Sequence, residues 1–226
     1  MGYWDEMTPP RAFGQMLEGS FFERSPLVVA PDLLGSVIAS YVGGVLTAGY
    51  VVETEAYLGS DDPGSHAATK GITQRNSVMY GPPATAYVYF TYGNHYMLNL
   101  VCCREGEAGA VLVRALEPLA GIDAMTSRRM GKPLRQLCNG PGKLAQALGV
   151  DLSDNGTTLG IGRLAVYAGR RSSAGEAMTS GRVGLSSGHE LEYRFFEEGN
   201  PFISRGRTGP LRAPARTRVK REGRVL

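Results

Sequence analysis

The chain has 226 residues, 42% of them hydrophobic, which suits one sizeable domain with a genuine core better than two small ones. Its formal charge is only +3, but eight basic residues from Arg205 onward stand against Glu222 alone, so that end carries +7 and the rest −4, from 16 basic and 20 acidic residues. Apolar runs such as Pro26 to Ala30 and Ala110 to Val113 are far too short to cross a bilayer, which argues against a membrane protein.

Met1 to Glu6 carries Asp5 and Glu6, unlike the basic start of a secretory leader, so a cytoplasmic protein is expected. Cys102, Cys103 and Cys138 have neither metal-ligand nor disulfide-framework spacing and read as reduced thiols.

Phe13, Met16, Leu17 and Phe21 have helical spacing and predict a helix within Pro10 to Glu23. From Ser36 the pattern turns to strands. Val37, Ile38, Tyr41 and Val42 lead into Gly43-Gly44, a pair that tolerates positive φ and signals a hairpin, and then into Val45 to Thr47 and Tyr50 to Tyr57. Asp61 to Gly71 reads as a polar loop.

Tyr87 to Phe90, Met97 to Cys102 and Ala110 to Ala115 read as three more strands. Gly121 to Met130 and Gly142 to Leu148 read as helices, the second with Asn139 as its cap and Pro141 in its first turn. Leu164 to Tyr167, Glu192 to Phe196 and Phe202 to Ser204 complete the set as short strands. No internal repeat or interdomain linker is visible.

The class is therefore α+β: a single domain over residues 1–204, with a curved, mostly antiparallel β-sheet core flanked by helices. Residues 205–226 read as a basic, flexible tail, suited either to loose contact with a polyanion or simply to keeping the chain in solution.

Two segments carry the chemistry. In Val51 to Tyr57, VVETEAY, strand alternation puts Val51, Glu53, Glu55 and Tyr57 on one face. Burying two carboxylates side by side is costly unless each is paired or one is protonated, so the pair marks either a working site or a solvated edge strand. Alternation does not say which glutamate would act as a base.

Tyr87 to Tyr96, YVYFTYGNHY, is dense in tyrosine rings, with Tyr87 and Tyr89 on one face and Tyr92 on the other parity, next to Gly93. Such rings pack sheet cores, yet tyrosine also offers a π face for a nucleobase and a hydroxyl that needs a polar partner.

His66 follows the acidic strand, and with only His95 and His189 elsewhere no metal-ligand spacing exists, so a hydrogen-bonding role is the simpler reading. A nucleophile elbow, a P-loop and a dinucleotide fingerprint are also missing. Hydrolysis with no metal or cofactor fits what remains.

Taken together, ETEAYLG (Glu53 to Gly59), SHA (Ser65 to Ala67), QRN (Gln74 to Asn76), YVYFTYG (Tyr87 to Gly93), VRALEPL (Val113 to Leu119), NGPGKLAQALG (Asn139 to Gly149) and RVG (Arg182 to Gly184) resemble the alkyladenine DNA glycosylase family, also called 3-methyladenine DNA glycosylase, in that family's order. The resemblance runs from about Pro26 to Arg205.

It implies a monofunctional base-excision-repair enzyme, a monomer acting on double-stranded DNA that contains damaged purines. Glu55 matches the carboxylate that activates water, with Glu53 in support, and Arg114 a residue near that water and the nucleotide phosphate. Tyr57, His66 and Tyr89 match the residues that hold a flipped base, and Tyr92 the wedge that fills its place. Asn99 corresponds to a residue that crowds normal guanine, and Val183 to a main-chain reader of the base edge. Arg75, Met79, Leu112 and Lys143 fall in segments that lie against DNA.

The sequence departs from the family at Met97, where cysteine is frequent, and over Thr69 to Gln74. Two rival readings are a non-catalytic binder of distorted DNA and a carbohydrate glycosidase using both glutamates. The second is poorly served by carboxylates side by side on one strand face.

Overall fold

In the computed structural model the described residues are 13–91, 93–170, 177–185, 187–188 and 190–206, with residues 69 and 70 described by their backbone alone. All strand pairings among them are antiparallel. The Gly43-Gly44 turn joins β1 (Val37–Val42) to β2 (Val45–Tyr57). Both glycines have positive φ, 63° and 78°, the twist that a two-residue hairpin turn demands.

The long strand β2 is the spine of the sheet. Along one edge it pairs with β5 (Ala110–Ala120), beyond which lie β4 (His95–Val101) and β3 (Ala86–Thr91). Along the other edge it pairs first with β1, itself flanked by β6 (Leu164–Tyr167), and then, over Glu53 to Glu55, with β8 (Arg194–Phe196). A short β7 (Met178–Ser180) closes the edge of β8. The stretch holding both glutamates is therefore paired on both sides, which removes the solvated-edge reading.

The β2–β5 ladder is irregular at the glutamates. Its register slips at Val52 and slips back at Arg114, which falls between Ala115 and Val113, the partners of Glu53 and Thr54. Such bulges bend a strand and re-aim side chains, here at the one point where two buried acids need a cation.

Alternation gives the sheet two unlike faces. Val88, Leu98, Leu100, Val111 and Val113 join the main hydrophobic cluster, packed beneath α2 (Pro26–Asp32) and α5 (Pro141–Leu148). Tyr87, Tyr89, Met97, Asn99, Leu112 and Arg114 alternate with them and face the opposite way, into a cavity that segments around Gly64 to Met79 and Val183 to Leu185 enclose.

Several sequence expectations change. Of the helix expected within Pro10 to Glu23 only α1 (Gly19–Phe22) forms, residues 10–12 lying outside the described part. Gly14 and Leu17 instead donate to Ala168 and Val166, because the free edge of β6 offers ladder partners that outbid a short helix. Asp61 to Gly71 contains a short helix, α3 (His66–Lys70), capped by the Ser65 hydroxyl.

Asn139 does not cap α5: its Oδ1 accepts from Lys143 Nζ, and the N-cap is Gly140. Phe202 to Ser204 is turn rather than strand. The predicted Gly121 to Met130 helix is α4 (Ile122–Arg128). Among the described residues no helix is long and apolar enough to cross a membrane.

Helix α5 brings Pro141 to the cavity, and Gly142 lets it approach β4 closely. A Cβ at residue 142 would sit 2.7 Å from the His95 ring and 2.9 Å from its Cβ. Gly142→Ala is expected to lower stability by about 1 to 3 kcal/mol through overpacking, read as a lower midpoint in urea.

Candidate active site

The cavity measures about 310 Å³, within reach of a small planar ligand. Strand register explains its floor: Tyr87 pairs with Asn99, Asn99 with Leu112, and Leu112 with Glu55, a row across β3, β4, β5 and β2. Two residue pairs along, on the same face, Tyr89 lies opposite Met97. His66, Met79, Pro141 and Val183 supply the walls.

The aromatic side is compact. The His66 and Tyr89 rings meet edge to face at 4.8 Å, Tyr87 and Tyr89 are 5.3 Å apart, and His66 Nδ1 lies 3.1 Å from the Tyr87 hydroxyl. Burial holds the Tyr87 hydroxyl well above its ordinary range, so it stays protonated. Burial of the His66 edge, with the nearby Arg75 charge, lowers the imidazole pKa. At neutral pH His66 is therefore neutral, so one ring nitrogen donates and the other accepts.

The acidic side is asymmetric. Both glutamates are fully buried. Glu53 Oε1 accepts from Arg114 Nε at 2.9 Å, Arg194 Nε at 2.7 Å and the Ser204 hydroxyl at 2.7 Å, while Oε2 accepts from the Ser204 main-chain N–H at 2.5 Å. Burial alone would raise its pKa, but the two guanidiniums and Ser204 outweigh that and hold it low. Glu53 is thus saturated and has no capacity left for a ligand.

Glu55 is held more lightly: Oε1 takes the Val183 N–H at 2.7 Å and Arg114 Nη1 at 3.2 Å, and Oε2 takes the Tyr57 hydroxyl at 2.8 Å. All three partners line the cavity. Glu55 therefore sits directly behind the wall, an anionic acceptor with lone-pair capacity to spare. Two carboxylates and two arginines leave the cluster neutral, and the opposing acids keep Arg114 charged despite its burial.

A second buried pair places Val183. The Arg182 guanidinium donates to both oxygens of Asp62 at 2.6 Å and to the carbonyls of Ala56 and Gly188. It also lies against the Tyr57 and Tyr193 rings, 4.7 Å and 5.3 Å from their centroids. Asp62 in turn accepts from the main chain of Leu58 and Gly64. This clamp ties β2, the following loop and the Val183 segment into one body, and it stacks Tyr57 on its rear face.

The structure brings Glu55, Arg114, Tyr57, His66, Tyr89, Asn99 and Val183 together around one cavity. The Val183 N–H donates to Glu55 Oε1 at 2.7 Å. Met79 and Leu112 are buried in the cavity wall, because alternation turns Leu112 inward and the 3-10 turn Ser77–Tyr80 packs Met79 below Tyr87; neither side chain is on a surface.

Arg75 is exposed, its guanidinium 5.0 Å from the Tyr89 centroid. Lys143 is half-buried near the Pro141 rim. Asn99 Nδ2 donates to the Tyr87 carbonyl at 3.1 Å. Tyr92, and the tail from residue 207, lie outside the described residues. Among those residues no cluster of three His, Cys, Asp or Glu side chains could hold a metal ion.

Sequence reasoning missed Tyr87 as a site residue, although it shares a face with Tyr89, and it missed the parts played by Arg182, Asp62, Arg194 and Ser204. Arg194 and Ser204 lie 141 and 151 residues from Glu53 along the chain. No local pattern could have linked them.

A family model described as methylpurine-DNA glycosylase matches residues 20–201. The chain is 44% identical over 191 residues to a protein of Carboxydothermus hydrogenoformans, covering 84% of this chain and 99% of that one. It is 42% identical over 192 residues to one of Koribacter versatilis, covering 83% and 92%. With one of Chlorobaculum parvum it shares 44% over 207 residues, covering 91% and 97%. Each carries the provisional name 3-methyladenine DNA glycosylase.

Asp62→Asn leaves Arg182 buried without its counter-ion and is expected to cost about 3 to 5 kcal/mol of stability, measured by thermal or urea unfolding. For Glu53 the unfolded chain, with a pKa near 4.5, takes up a proton before the folded one does. Its contribution is therefore present above that pH and lost as pH falls further. Glu53→Gln is expected to flatten the acid limb of melting temperature against pH.

Proposed function

The chain belongs to the methylpurine-DNA glycosylase family, and from that membership we propose that it releases alkylated purines of the 3-methyladenine type from duplex DNA, leaving an abasic site. The observation that carries this reading is the position of Glu55. Its carboxylate is bonded to Arg114, Tyr57 and Val183, the three groups through which a bound nucleotide and water would reach it.

A damaged base inside the stack is out of reach, so it must be rotated out, at a cost of a few kcal/mol that is smaller where damage has weakened pairing. In this reading Tyr92 takes its place in the helix, and Arg75 and Lys143 meet the phosphates beside the opening. The base enters between Tyr57 on one side and Tyr89 with His66 on the other. A purine alkylated at a ring nitrogen is cationic, and each aromatic face attracts it by roughly 0.5 to 2 kcal/mol. Asn99, in the cavity lining, crowds the exocyclic edge of a normal guanine.

Departure of the base leaves an oxocarbenium-like sugar. Glu55 stabilises that charge and takes the proton of the attacking water, while Arg114 orients both. A strand-cleaving lyase step would need an amine to form a Schiff base. Of the four lysines in the chain, Lys132 and Lys143 have described side chains and neither lines the cavity, which supports a monofunctional hydrolase; the reading takes it to act on double-stranded DNA as a monomer. Residues 1–204 form the catalytic domain in this reading.

The decisive measurement is release of free base from a methylated duplex, with protein substoichiometric to show turnover and in excess to give the single-turnover rate. Wild-type protein at substoichiometric concentration is expected to accumulate methylated purines with time, which a mere binder of distorted DNA would not. Glu55→Gln is expected to bind the lesion duplex and to lose about 10²- to 10⁴-fold in excision rate. Excision by that variant near the wild-type rate would remove Glu55 as the base.

A further inference from the structure

The chain after β8 does more than end the fold. Asn200 anchors it: its Nδ2 donates to Glu197 at 2.8 Å and to Glu117 at 3.4 Å, and its Oδ1 accepts the Phe202 N–H at 2.9 Å. Arg170 binds the same two carboxylates, and its guanidinium lies 4.5 Å from the Tyr50 ring centroid. From this anchor the chain turns inward, and Ser204 is buried against Glu53 and Arg114. Ser204 lies beyond residue 201, where the family match ends.

The contacts of Ser204 form a closed ring. Arg114 Nε donates to Glu53 Oε1, the Ser204 hydroxyl donates to the same oxygen, and Arg114 Nη2 donates at 3.2 Å to the Ser204 hydroxyl oxygen. Nε and Nη2 are the two donors on one edge of the planar guanidinium. Fixing both of them fixes the plane, so the remaining nitrogen, Nη1, is held toward Glu55 Oε1 at 3.2 Å. With Glu53 alone, one bond would hold Arg114, and the guanidinium could swing about it. Arg194 and the Ser204 main-chain N–H hold Glu53 in place without the hydroxyl, so neutralising Glu53 does not by itself require a serine side chain.

We infer that Ser204, delivered by the strap Asn200 to Ser204, is a positioning residue that locks the Arg114 guanidinium onto Glu55 and so sets the rate of base excision. The inference rests on the assignment of Glu55 and Arg114 above. It makes the C-terminal edge of the domain part of the active-site machinery, acting through hydrogen bonds and without contact to the nucleotide.

The test uses the full chain and a methylated duplex, with Ser204→Ala, Ser204→Thr, Asn200→Ala and Glu55→Gln measured side by side for single-turnover rate, lesion-duplex Kd and melting temperature. Ser204→Ala is expected to excise about 10- to 100-fold more slowly, the scale of a misoriented catalytic group, with Kd unchanged. Ser204→Thr, which keeps the hydroxyl, recovers the rate. Asn200→Ala shows the same split at smaller size and carries the test if Ser204→Ala does not fold. A wild-type rate in Ser204→Ala, a parallel loss of rate and affinity, or a threonine variant as slow as the alanine one would overturn the inference. If Glu55→Gln excises normally, the assignment of the base has failed; if Glu55→Gln is inactive and Ser204→Ala is not impaired, only the role of Ser204 has failed.

Discussion

Two carboxylates on one face of a buried strand cannot stand without cations, and the rest of this structure is arranged around that constraint. Glu53 and Glu55 are two residues apart, roughly 7 Å along the strand, with sheet on both edges and no exposure to water. Arg114 meets the need from the neighbouring strand, at a bulge that turns it between the two acids. Arg194 from β8 supplies the second positive charge. A pairing of this kind contributes little net stability once desolvation is counted, yet removing one partner is costly. The cluster is best understood as a device for geometry rather than for stability.

Its asymmetry is what gives it chemical use. Glu53 receives four hydrogen bonds and is finished as a ligand; Glu55 receives two and an ion pair, all from groups that line the cavity. Each group that touches Glu55 is itself held from behind. Arg114 is held by Glu53 and Ser204, Val183 follows Arg182 in its clamp with Asp62, and the Tyr57 ring rests on the same guanidinium. A water or sugar brought to this carboxylate would find donors already oriented, the condition under which electrostatic stabilisation requires no rearrangement.

The other half of the site follows from the two-faced sheet. One alternation set is aliphatic and packs under α2 and α5; the other presents Tyr87, Tyr89, Met97, Asn99 and Leu112 to the cavity. Rings set about 5 Å from one another, edge to face or tilted, with one neutral histidine among them offer π faces and a hydrogen-bond donor, a surface suited to a flat, electron-poor heterocycle.

Much of this was legible in the linear sequence. The Gly43-Gly44 hairpin, the order of the long strands, the shared face of Glu53, Glu55 and Tyr57, and the aromatic run from Tyr87 depend on residue type and on a period of two, which are local properties. The extended path of residues 14 to 17 and the turn at Phe202 to Ser204 depart from the sequence reading because each is decided by a partner distant in the chain, the edge of β6 and Glu53. The cap of α5 departs from it because Lys143, one turn on, engages the Asn139 side chain. Alternation placed both acids on one face but left them equivalent. Only the folded chain, by delivering Arg194 and Ser204 from more than a hundred residues away to one carboxylate and Val183 to the other, made them different.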